Sequence, residues 1–129
     1  MSEAALDMGI TYRFDGALGV VIARGEGAVT PEDLASYWES RVADRKHFDC
    51  RRILIDGRSS EIQFNGEDLR RLLNSILRPV TEAGSYRIAV LVTTAVQYGT
   101  ARQFQVFFNE LGVSEIFEDE AAALEWLRS

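Results

Sequence analysis

Arg52-Ile53-Leu54-Ile55-Asp56 is a short aliphatic run with a charge at each end, the pattern of a central strand buried on both faces. A strand of that kind needs covering layers above and below it, so the segments around it must supply helices. Upstream, Thr30-Pro31-Glu32-Asp33 combines a hydroxyl cap, a proline where no amide donor is needed, and two acids facing the positive end of the helix dipole. Leu34, Tyr37, Trp38 and Val42 then recur at helical spacing, which predicts a first helix ending near Lys46. Downstream, Gly57 to Phe64 reads as a loop, and Asn65 as the cap of a second helix with Leu69, Leu72, Leu73, Ile76 and Leu77 on one face and Pro79 near its last turn.

The same alternation continues to both ends. Ile10, Tyr12 and Phe14 alternate with polar residues, Asp15-Gly16 is a turn signal, and Leu18 to Ala23 resumes as a strand, so residues 10–23 read as an antiparallel hairpin closed off by Gly25 and Gly27. Arg87 to Val92 is a second continuous apolar strand. After Thr93-Thr94 a third helix carries Phe104, Phe107, Phe108 and Leu111 toward the core until Gly112 stops it. Glu115-Ile116-Phe117 is a short last strand, and Glu118-Asp119-Glu120 opens a terminal helix with Ala122, Leu124, Trp126 and Leu127 on its apolar face. The order β-β-α-β-α-β-α-β-α predicts an α/β fold: a mixed β-sheet with a parallel centre and an antiparallel N-terminal hairpin, flanked by about four helices.

Composition bounds what such a chain does. Its 129 residues suit a single domain spanning 1–129, with residues 1–9 loosely ordered, and 47% hydrophobic with 26% charged residues is ordinary for a globular protein. A formal net charge of -6 repels phosphate backbones, which argues against nucleic acid as a partner. The arginine pairs Arg51-Arg52 and Arg70-Arg71 have carboxylates nearby and read as solvated surface. One cysteine, Cys50, forms no internal disulfide, and no apolar run approaches the ~20 residues that span a bilayer, so a cytoplasmic protein without membrane insertion is expected.

Few residues carry chemistry. Gly25-Glu26-Gly27-Ala28-Val29-Thr30 imitates a dinucleotide fingerprint, but Thr30 replaces the third glycine and Glu32 and Asp33 would repel a pyrophosphate, so it reads as a strand-to-helix turn. His47, the sole histidine, suits a helix C-terminus better than a zinc set, and beside Cys50 it makes no defined catalytic dyad. No metal site and no cofactor are expected. Ligands of α/β sheets bind beyond the carboxyl ends of the strands, which here points to Asp56 to Ser60 and Thr93 to Tyr98. Asp56 and Arg58 offer a carboxylate and a guanidinium, Tyr98 and Arg102 lie one helical turn apart, and these four are the candidate ligand-binding residues. Ser59 and Ser60 are candidate phosphorylation sites; local turn chemistry is the plainer account of both.

Tyr12-Arg13-Phe14, Val29-Thr30-Pro31-Glu32-Asp33-Leu34, Ile53-Leu54-Ile55-Asp56-Gly57-Arg58, Tyr98-Gly99-Thr100-Ala101-Arg102 and the ending Phe117-Glu118-Asp119-Glu120-Ala121 through Trp126-Leu127 together resemble the small bacterial SpoIIAA-like proteins, relatives of the STAS domains. The resemblance runs from about Ile10 to Leu127 and rests on structural punctuation. It implies a four- or five-stranded sheet with helices, in an anti-sigma-antagonist-like or lipid-transfer-like architecture. Anti-sigma antagonists carry a phosphorylated serine at a helix start directly after the central strand; here Ser59 and Ser60 precede the expected helix start at Asn65 by several residues. The leading functional expectation is a non-enzymatic binding or regulatory module for a small apolar or anionic ligand, or for a protein partner, with a homodimer compatible with either. A STAS-type phospho-switch is the alternative, and an enzyme using Asp56 as base with Tyr98 or Arg102 as electrophilic support comes last.

Overall fold

In the computed structural model, residues 9–44, 50–77, 86–109 and 112–129 are described. Among them the chain forms β1 (Ile10–Asp15), β2 (Val20–Val29), α1 (Pro31–Ala43), β3 (Arg52–Ile62), α2 (Gly66–Leu72, continued by a π-helical turn over Leu73–Leu77), β4 (Tyr86–Leu91), α3 (Ala95–Phe108), β5 (Gly112–Phe117) and α4 (Glu120–Arg128). His47, Pro79, Glu110, Leu111 and residues 1–8 of the loose stretch expected over residues 1–9 lie outside the described residues, as do the side chains of Ile76 and Leu77. Gly9, the last residue of that stretch, is buried, and its carbonyl accepts the Glu26 N–H at 2.9 Å.

The sheet order is β1-β2-β3-β4-β5, with β1 and β2 antiparallel and every other pair parallel. The hairpin turn is local chemistry. Asp15 Oδ1 accepts the Leu18 N–H at 3.1 Å, its carbonyl accepts the Gly19 N–H at 2.8 Å, and Gly19 takes φ +68°, a conformation that a Cβ disfavours. The helices start where their caps demand. Thr30, Asn65 and Thr94 each close a capping box with Asp33, Asp68 and Gln97, and Asp119 caps α4.

Parallel neighbours laid down in chain order place α1, α2 and α3 on one face of the sheet. There Tyr37, Trp38, Leu72, Leu73, Ala101 and Phe108 pack on the inward residues of β2, β3 and β4. Among the described residues the opposite face is covered by α4 alone, through Ala123 and Leu127 over Val20, Leu54, Ala89 and Leu91. Period-two alternation divides β3 between the two layers: Ile53 belongs to the three-helix core and Leu54 to the α4 core. On the α4 side β1 and the outer part of β2 stay open, leaving Thr11, Arg13 and Arg24 exposed.

Several sequence expectations shift. β2 does not end at Gly25 and Gly27 but runs through them to Val29, with a register shift between Arg24 and Glu26 and φ +67° at Gly27, so the Gly25–Val29 stretch is strand and not a strand-to-helix turn. Gly112 does not terminate α3; it opens β5. On α4 the buried alanine is Ala123, while Ala122 is exposed. α1 ends at Ala43, where the Asp44 N–H donates to Ser40 O at 2.9 Å.

Candidate functional site

The stretch expected as a loop after Asp56 is strand. β3 continues to Ile62, and Glu26, Gly27, Ala28 and Val29 of β2 pair with Ser59, Ser60, Glu61 and Ile62. A long ladder satisfies the backbone groups of both segments at once, which outweighs the turn preference of Gly57-Arg58-Ser59-Ser60. Gly57 fits because a Cβ there would stand 3.3 Å from Leu91 O. Asp56 is consequently buried inside the sheet, 8% exposed, instead of standing at a strand end.

Its carboxylate is fully engaged. Arg58 Nε donates to Asp56 Oδ1 and Arg58 Nη2 to Oδ2, both at 2.9 Å, and the Arg58 backbone N–H donates to Oδ1 at 3.1 Å. Arg58 Nη2 also reaches Glu120 Oε1 at 3.1 Å, linking β3 to the first turn of α4. The Arg58 side-chain hydrogen bonds hold the Asp56 carboxyl below its ordinary range, against an opposing push from burial, and the Asp56 partnership raises Arg58 further above its usual value. This fork lies in an open groove that also includes Thr11, Arg13 and Arg24, with Asp15 and Glu26 beside the last two arginines. Each arginine there already faces a carboxylate.

On the three-helix side lies a partly open cavity of about 100 Å³. Its wall is apolar, built from residues such as Ile10, Leu34, Trp38, Ile55, Val92 and Phe104, with Ser60, Gln97 and Thr100 as its polar side chains apart from Asp56 and Tyr37. The cavity therefore sits where parallel strands end and the first turns of α1 and α3 begin, the usual position of a ligand site in such sheets. Gln97 is the residue that shapes it. Buried to 5% exposure, it accepts at Oε1 from the Thr93 and Thr94 N–H groups at 2.7 and 3.2 Å, and donates from Nε2 to the Ser60 and Arg58 carbonyls at 3.0 and 3.3 Å. It stitches the start of α3 to the far half of β3.

Of the four candidate ligand-binding residues, the structure brings Asp56 and Arg58 together and sets the other two apart. Tyr98 is 45% exposed and Arg102 is exposed, and neither lines the cavity or the groove. A helix turns about 100° per residue, so when Gln97 and Ala101 face inward Tyr98 and Arg102 face out. An Asp56 base working with Tyr98 would need both on one cavity, and they do not converge. Ser59 is exposed, whereas Ser60 borders the cavity, its Oγ packed against Gly25 where a Cβ would come within 2.3 Å.

Two buried polar positions escaped the sequence reading. Gln97 gave one usable signal, its place three residues after Thr94 in a capping box, but its second set of partners lies 37 and 39 residues away. Arg41 is wholly buried in α1, donating to Tyr37 Oη at 3.2 Å and to Cys50 O at 3.3 Å, with its guanidinium 5.7 Å from the Tyr12 ring centre and 6.0 Å from that of Trp38. Burial, opposed in part by Arg41, pushes the Tyr37 hydroxyl up to about 12, so the phenol stays neutral. Among the described residues no three His, Cys, Asp or Glu side chains are placed to hold a metal ion, and no helix is long and apolar enough to cross a membrane.

With this geometry in place, comparison with solved structures finds a protein of Shewanella loihica PV-4, described as an uncharacterised protein of the DUF3478 family with a SpoIIAA-like fold. It matches with a TM-score of 0.61 over 92% of this chain and 94% of that one, at 19% sequence identity. The fold is SpoIIAA-like. No protein-family model matches the chain, and no curated protein matches it. The SpoIIAA-like fold accounts for the sheet and the helices; the cavity and the Asp56–Arg58–Glu120 link are read from this chain's own side chains.

Proposed function

We propose that this chain is a non-enzymatic binding module that takes a small, mainly apolar ligand in the cavity between α1, α3 and the outer halves of β2 and β3. The concave, apolar-lined cavity at the strand ends carries this reading, since a pre-formed concave site with few polar groups is the common form of a small-molecule pocket. Asp56 borders this cavity, whereas Arg58 lines the groove on the α4 side. Tyr98 and Arg102, on the outer side of α3, are then available to a protein partner or a second copy rather than to the ligand. Enzymatic use of Asp56 is disfavoured because both of its oxygens are held by Arg58.

The volume sets the scale of the ligand. A cavity of about 100 Å³ is smaller than the roughly 150 Å³ that admits benzene, so it surrounds a compact molecule or one part of a longer one, whose remainder lies along the open side. The experiment is a thermal-shift screen of small aliphatic and aromatic compounds against wild type and Ala101→Leu, which fills the cavity wall. A ligand present at about 100 times its Kd should add about 2.7 kcal/mol and raise Tm by several degrees in wild type alone. Equal responses in the two proteins, or none in wild type across the panel, would remove the proposal.

The phospho-switch alternative has weaker support. Both serines are paired in β3 rather than placed at the Asn65 cap, and a phosphate on Ser60 would meet the Gly25 contact and the apolar cavity. Ser59 remains open to a kinase. Intact mass of the protein from its native cells, and partner binding by Ser59→Asp, would decide it.

A further inference from the structure

The cavity reading leaves open which chemical class of ligand fits, and the charges around the wall bear on that choice. Among the described residues no lysine, arginine or histidine lines the cavity. Its only carboxylate is Asp56, already saturated by three hydrogen bonds from Arg58, and Tyr37 is held neutral with its hydroxyl accepting from Arg41. The Arg58 guanidinium, spent on Asp56 and Glu120, is on the groove side and does not line the cavity. An anionic ligand buried here would find no cation, and an ionised group without a partner in an apolar site is strongly penalised. A cationic ligand would compete with Arg58 for a carboxylate that is already paired.

Two hydroxyls at the wall are uncommitted. Those of Ser60, packed against Gly25, and Thr100 make no hydrogen bond to the described residues, while the nearby Gln97 amide is consumed by four backbone groups and the Thr93 hydroxyl. A hydroxyl can donate one bond and accept others, so it matches an alcohol, ketone or amide oxygen. Resting on the binding proposal, we infer that the cavity selects neutral ligands with a hydrogen-bonding head group, held by the Ser60 and Thr100 hydroxyls, and an apolar body against the aliphatic and aromatic wall. Anionic ligands of the same shape are rejected.

The test pairs 1-pentanol with pentanoate at neutral pH, titrated into the full chain and followed by two-dimensional amide NMR. Pentanol should give saturable shifts centred on Ser60, Gln97 and Ala101. Pentanoate should bind at least a hundredfold more weakly, showing no saturation at the highest soluble concentration. Removing both hydroxyls, in Ser60→Ala with Thr100→Val, should weaken pentanol about fivefold or more, the value of at least one neutral hydrogen bond, without moving its site. Pentanoate binding as tightly as pentanol would overturn the inference while leaving the binding module intact. Pentanol affinity unchanged in that double variant would remove the head-group assignment, and the absence of saturable shifts with either compound would overturn both the selectivity and the binding proposal beneath it.

Discussion

Gly112 faces the tightest backbone contact among the glycines of the sheet: a methyl group there would stand 2.2 Å from Tyr86 O, and both strands would have to move to admit it. Gly112→Ala should therefore cost about 2–3 kcal/mol in chemical denaturation, toward the upper end for overpacking. Gly25 differs because its obstacle is a side chain, the Ser60 Oγ at 2.3 Å. A double-mutant cycle should show Gly25→Ala destabilising in wild type and much less so on a Ser60→Ala background, with a coupling of about 1 kcal/mol. At Asp56 the prediction concerns pH. The folded carboxyl titrates below its ordinary value of 3.8, so its stabilising contribution is present above that pH and is lost as pH falls through the lower folded value. The stability gap between wild type and Asp56→Asn should be constant at neutral pH and shrink below about pH 4; a gap that widens on acidification would contradict the Arg58 fork. None of these side-chain relations could be read from sequence: even Asp56 and Arg58 share a strand face only because β2 pairs with the segment that follows Asp56.

Elements show where local rules suffice and where they fail. The helix starts at Thr30, Asn65 and Asp119 were legible because a cap bonds residues only three apart. The extent of β3 was not, because its continuation depends on β2 some thirty residues earlier, and Gly57-Arg58-Ser59-Ser60 carries the composition of a turn. Gln97 is the joint between the two kinds of information: a capping residue by sequence, a tertiary clasp by structure. Thr94→Ala removes only the cap and should cost about 1 kcal/mol. Gln97→Leu also leaves the part-buried Thr93 N–H and Ser60 carbonyl without their partner and should cost about 2 kcal/mol, with faster amide exchange at residues 93 and 94 as the accompanying sign. Equal costs for the two variants would show that the clasp contributes nothing beyond the cap.

At the scale of the molecule the two faces of the sheet are, among the described residues, unequally covered, three helices against one, so the α4 layer depends on very few side chains. Leu127, wholly buried over β3 and β4, should cost about 2–5 kcal/mol when cut to alanine, measured by denaturant unfolding, and the loss should be fully cooperative with the sheet because both cores share its strands. The element order, the antiparallel hairpin, the parallel centre and the apolar faces of the helices followed from the sequence by itself, since periodicity, caps and turn residues act over a few neighbours. The tertiary structure alone decided that β2 and β3 run on together, that Asp56 is closed by Arg58 and Glu120, that Tyr98 and Arg102 face away, and that Ser60 and Gln97 border a cavity. Those outcomes depend on which distant segments share a ladder or a cavity wall, and the energies that decide between strand and loop at such positions come from partners that a local pattern does not contain.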